Sequence, residues 1–111
     1  MISPEEANLL ISRYRSDQPL LRINLILRDM SVSMRLTARA VPKEPPGQLT
    51  MFADNGDHCL VVLRDCCFEY GDAREVEDPE IRAASEAKFA GCLTVLFPAP
   101  SNERLYILEL R

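Results

Sequence analysis

Arginine is the residue type in this chain best suited to chemistry, and four arginines share one spacing pattern. Arg22 and Arg28 lie an even number of residues apart, as do Arg35 and Arg39. In extended chain each pair therefore points to a single side. Guanidinium groups grip phosphate and carboxylate through paired donors, so a face carrying Arg22, Arg28, Arg35 and Arg39 would suit a phosphate-containing ligand. The same face could be neutralised from within by Glu75, Glu77, Asp78 and Glu80.

Other chemistry is sparse. Cys59, Cys66, Cys67 and Cys92 with the single histidine, His58, are the only residues resembling a metal set. Their spacing contains no Cys-x2-Cys or Cys-x4-Cys pair that would offer two thiolates to one zinc ion. A redox dithiol of the Cys-x-x-Cys type is missing as well. Buried, reduced thiols are expected, and neither a metal nor a cofactor is. His58 beside Asp57 is the one place for a histidine general base, with Asp54 and Asp65 as further carboxylates. No Gly-x-Ser-x-Gly, phosphate-cradling glycine loop or His-Glu-x-x-His occurs, so no catalytic residue is assigned.

These residues need strands to hold them. Leu20 to Val41 alternates apolar and polar residues on both sides of Asp29-Met30-Ser31-Val32, which predicts a hairpin. With Met30-Ser31 as the turn, Arg22 faces Arg39, Asn24 faces Thr37, Ile26 faces Arg35, and Arg28 faces Ser33. The opposite face, Ile23, Leu25 and Leu27 with Met34, Leu36, Ala38 and Ala40, is a core face. Ahead of it, Ser3-Pro4-Glu5-Glu6 predicts a helix start with a capping box, and Ala7, Leu10, Ile11 and Tyr14 form its apolar stripe, ending near Arg15.

Pro42 to Gly47 reads as a surface loop. Asp54-Asn55-Gly56-Asp57 predicts a second hairpin with a type I′ turn, between Leu49 to Phe52 and His58 to Leu63. Leu60 to Leu63 is apolar on both faces, which predicts a strand covered on two sides and continuing, with a bend, to Phe68 or Tyr70. A short helix near 79 to 90 and two final strands, Cys92 to Phe97 and Arg104 to Leu110, complete the expected α+β domain. It has a mostly antiparallel, twisted sheet of about six strands, curling towards a barrel, in a single domain over 1–111.

The chain has 111 residues, 47% hydrophobic and 27% charged, within the range of an ordinary globular domain. Its net charge of −4 is unevenly spread: residues 1–43 hold seven basic and four acidic side chains, and residues 44–111 hold six and thirteen. An acidic balance disfavours duplex DNA, whose non-specific affinity comes from phosphate neutralisation. The acidic start, Met1 to Leu10, and the lack of a long apolar run predict a cytoplasmic protein without a membrane span.

Helix followed by short antiparallel strands resembles the order of elements in Sm-like barrels, which assemble into rings and bind single-stranded RNA. Asp29-Met30-Ser31 resembles the Asp-x-Ser of PilZ domains, which bind a cyclic dinucleotide. Ser33 and Met34 stand where that motif carries glycine, and Arg22 and Arg28 lie closer to it than its arginine pair. The expected function is a small non-enzymatic binding or interaction module, acting by self-association through a strand edge or on a protein partner. The alternative is an anion- or nucleotide-binding regulatory domain using the arginine face; an enzyme centred on His58 ranks behind both.

Overall fold

A computed structural model describes residues 1–27, 32–76, 89–101 and 103–110. Helix α1 (Pro4–Asp17) precedes seven strands: β1 (Leu21–Leu27), β2 (Val32–Ala40), β3 (Gln48–Phe52), β4 (His58–Val62), β5 (Cys67–Asp72), β6 (Phe89–Leu96) and β7 (Arg104–Leu110). They form one antiparallel sheet in the order β4-β3-β2-β1-β7-β6-β5. The sheet is not closed into a barrel; β4 and β5 are its two edges. Most of the expected second helix lies outside the described residues, and Phe89 and Ala90 already belong to β6. Ala73–Glu75 forms a 3-10 turn.

The helix starts as its sequence dictates. Ser3 Oγ accepts the Glu6 N–H at 3.2 Å and the Glu6 carboxylate reaches back to the cap. Ala7, Ile11 and Tyr14 are buried against the sheet. The helix runs past Arg15 to Asp17 because Gln18 adopts a left-handed cap at φ 53°, a conformation costly for a residue with a Cβ. Its side chain offsets the cost by donating to Ala40 O at 2.6 Å and to Arg15 O at 2.9 Å.

Glu44 adds a second fastening between helix and sheet. It accepts from Arg15 Nη2 at 3.0 Å, the Thr50 N–H at 2.9 Å, the Thr50 hydroxyl at 2.7 Å and Gln48 Nε2 at 3.3 Å. Its side chain is 5% exposed. The proline-rich segment expected at the surface is thus anchored inward by one carboxylate.

The main core lies on the helix side of the sheet, where Leu21, Ile23, Ala38, Met51, Leu93 and Ile107 meet Ile11 and Tyr14. A second cluster of Ala73, Phe89, Cys92, Tyr106 and Leu108 covers the other face of β6 and β7.

Three strand expectations are corrected. In the first hairpin the register differs by two residues: Arg22 pairs with Thr37, Asn24 with Arg35 and Ile26 with Ser33. An even shift keeps every side chain on its face and changes only its partner. In the second hairpin Gly56 has φ 94° while Asn55 does not have positive φ, which excludes type I′. Gly56 N–H donates to Ala53 O at 3.1 Å, and Ala53 N–H to Asp57 O at 2.8 Å. That is a type I turn followed by a left-handed glycine bulge, a three-residue loop.

Finally, the one bent strand expected beyond Leu60 is two strands. Asp65, at φ 61°, turns the chain, and β4 and β5 go to opposite edges of the sheet. Leu60 and Val62 are 53% and 59% exposed, so β4 is covered on one side only.

Candidate functional site

Of the three candidate arginines among the described residues, Arg35 and Arg39 border one recess and Arg22 lies apart from it. Arg22 lies over the Phe89 ring, 5.7 Å from its centroid, a cation–π contact at the edge of the second cluster. Arg39 Nε donates to Gln18 O at 3.2 Å, and Nη1 lies 3.8 Å from Asp54 Oδ1, a carboxylate almost wholly in solvent. Such an exposed pair contributes little. Arg35 is exposed and makes no ion pair among the described residues. Arg28 lies outside them, as does the Asp29-Met30-Ser31 motif.

What surrounds Arg35 follows from the length of β2. Its ladder with β3 covers only Arg39–Phe52 and Ala40–Met51, so the earlier part of β2 runs on past the Ala53–Asp57 turn. Between them opens a cleft of about 500 Å³. Ile23, Leu25, Leu36 and Cys59 supply its apolar lining, and Arg35, Asp57 and His58 its polar rim. On the outer side of the turn Arg35, Arg39, Asp54 and Asp57 border a second recess of about 450 Å³. The structure therefore joins Arg35 to His58 and Asp57, residues that sequence alone leaves unconnected.

Three of the four thiols are held protonated by their surroundings. Burial raises the Cys59 thiol above its ordinary pKa, and burial followed by the neighbouring Cys67 and Asp65 raises Cys66. Cys92 is pushed up to about 11 by burial. All four cysteines are free thiols. A thiol held neutral attacks poorly and ligates metal poorly. Among the described residues no three His, Cys, Asp or Glu side chains converge on one point.

A half-buried polar pair lies away from the cleft, between α1 and the sheet. Tyr70 donates to Glu109 Oε1 at 2.5 Å, above Gly91, where a side chain would collide with both. The pKa of Tyr70 is pushed up to about 12 by burial and then by Glu109, with Arg13 opposing. Tyr14, 1% exposed, is driven higher still by burial and the same carboxylate, although its hydroxyl makes no hydrogen bond of good geometry. Phenols held this firmly protonated fasten the helix and cannot act as bases at neutral pH.

Asn24 Oδ1 is also buried without a partner. On that face Glu69, Thr94, Arg104 and Tyr106 line a smaller recess of about 250 Å³.

Comparison of the chain with family models, curated proteins and solved structures finds no match. Among the described residues no helix is long and apolar enough to cross a membrane.

Proposed function

We propose that the domain is a non-enzymatic binding module and that the cleft between β2 and the β3–β4 turn is where it binds. One observation carries this: an apolar floor of Ile23, Leu25, Leu36 and Cys59 meets an exposed arginine, Arg35, which makes no ion pair among the described residues, at the rim of an opening of about 500 Å³. Small-molecule sites fall in this size range and combine an apolar lining with a few polar groups that orient the ligand. The fitting ligand has an apolar body and one anionic head. The upward-shifted thiols support binding over catalysis.

The alternative, an anion- or nucleotide-binding regulatory domain on the arginine face, draws support from the same Arg35 and from Arg39 across the outer recess. Arg22, engaged with Phe89, lies apart from both.

A thermal-shift panel separates the two. A medium-chain fatty acid, ATP, a cyclic dinucleotide and inorganic phosphate are tested against the parent, Arg35→Glu and His58→Ala. Binding stabilises by about 2.7 kcal/mol at a hundredfold excess over Kd. A shift with the fatty acid, lost in Arg35→Glu, is the expected result. Shifts with the phosphates alone would favour the arginine face, and no shift with any compound would refute the cleft as a small-ligand site.

A further inference from the structure

The two edges of the sheet are treated differently. β5 carries Glu69 and Asp72, and its free side is partly occupied by Ile2, whose N–H donates to Phe68 O at 3.0 Å. β4, His-Cys-Leu-Val-Val, has no such protection: no proline, glycine, lysine or carboxylate interrupts it. Natural edge strands usually carry one of these devices, because bare backbone recruits another strand.

The direction of the bare groups follows from the ladder. Ala53 N–H donates to Asp57 O and Leu63 N–H to Gly47 O, so the odd-numbered residues of β4 bond to β3. His58, Leu60 and Val62 therefore point their N–H and C=O groups off the edge. Their side chains share the outer face of the sheet, where Leu60 and Val62 are exposed.

We infer that two copies of this chain pair antiparallel through β4 about a two-fold axis, with Leu60 opposite Leu60 and each His58 opposite Val62 of the other copy. Every residue in those pairs points outward in both copies, so each pair exchanges two backbone hydrogen bonds. Charge selects a second copy in this direction. Asp54 and Asp57 precede β4, and Arg64 follows it with Asp65 next in the chain, so antiparallel pairing sets Arg64 of one copy near Asp57 of the other at both ends. Parallel pairing would set the two acidic ends side by side. On the inner side a trough of about 380 Å³, walled by Leu25, Phe97 and Leu105, runs along the same edge.

Sedimentation velocity of the full chain over a wide concentration range tests this, with circular dichroism to confirm folding. The parent should dimerise. Leu60→Lys should be a folded monomer, with Val62→Lys as the second variant should the first fail to fold. Arg64→Glu should weaken dimerisation several-fold and Asp57→Arg/Arg64→Glu should restore it. A parent that stays monomeric at every concentration would overturn the inference, as would a dimer that survives both lysine variants. Charge reversals whose effects add rather than cancel would overturn the antiparallel register.

Discussion

Glu44→Gln should remove more stability than any other single-atom change in the loop before β3, and should do so only above the pH where Glu44 loses its charge. The two carboxylate oxygens divide four donors: Oε1 takes Arg15 Nη2 and the Thr50 N–H, Oε2 takes Gln48 Nε2 and the Thr50 hydroxyl. A glutamine amide can keep the first pair on its oxygen, while the Thr50 hydroxyl rotates to accept from its nitrogen. What it loses is the charge on bonds to a cation and a backbone donor, worth about 1.5–3 kcal/mol. Glu44→Ala also takes the counter-charge from Arg15, leaving its Nη2 the Gln48 O acceptor at 2.8 Å while its Nε is already buried and unpartnered, and should cost about 3–5 kcal/mol.

The pH dependence carries a sign. Burial alone would raise the Glu44 pKa, but the Thr50 and Gln48 donors and Arg15 outweigh it and hold it below its ordinary 4.5. A lowered folded-state pKa gives stability that is present above the unfolded value and lost as pH falls through the folded one. Urea unfolding from pH 7 downwards should therefore show the gap between parent and Glu44→Gln closing below about pH 4.5. A variant as stable as the parent at pH 7, or a gap unchanged at low pH, would refute the internal staple.

Two further predictions concern Tyr70, the first through its contact above Gly91 and the second through its titration together with Cys92 of the second cluster. Gly91→Ala pushes against Glu109 Oε1 and the Tyr70 hydroxyl, so it should cost about 1–3 kcal/mol. Because Tyr70→Phe removes the same hydrogen bond, a double-mutant cycle by urea unfolding should show costs that do not add; additive costs would contradict the shared contact. At alkaline pH, Tyr70 and Cys92 hold their protons beyond the ordinary 10.0 and 9.0, to about 12 and 11. Raised folded-state pKa values mean stability that is complete below the unfolded values and lost as pH rises through the folded ones. Tyrosinate absorbance and circular dichroism should then change together above pH 10; phenolate appearing in the folded protein would contradict it.

How much of this could be read beforehand depended on how far apart the interacting residues lie. α1 is written locally, in Ser3-Pro4-Glu5-Glu6 and a stripe four and three residues apart, and so is β7, in its alternation. Faces of the first hairpin were legible although partners were not, since alternation fixes parity and the turn fixes register. Asn55-Gly56 marks a hairpin but serves two- and three-residue loops equally. Glu44 gave no signal, because Arg15 is 29 residues away and prolines around it spoke for solvent. Of the cleft, Arg35 was named and Leu25 and Leu36 were assigned to the core. Their meeting with His58 required knowing that β2 outruns β3, a long-range pairing without a local signature.

The open edge has its cause in the turn at Leu63 to Cys66, as the cleft has in the length of β2. Those four residues connect the two edges of the sheet, so the sheet must coil until the end of β4 approaches the start of β5. Pairing the two would close a barrel and satisfy the outward groups of His58, Leu60 and Val62. Ile2 stands in the way: its bridge to Phe68 occupies the side of β5 that β4 would need, and α1 follows directly after it. Aspartate tolerates the left-handed turn at position 65 without glycine, which is why the sequence suggests a bend there and not a break. A sheet held open in this way keeps Leu60 and Val62 in water unless something outside the monomer covers them, and a second β4 meets their backbone groups in register.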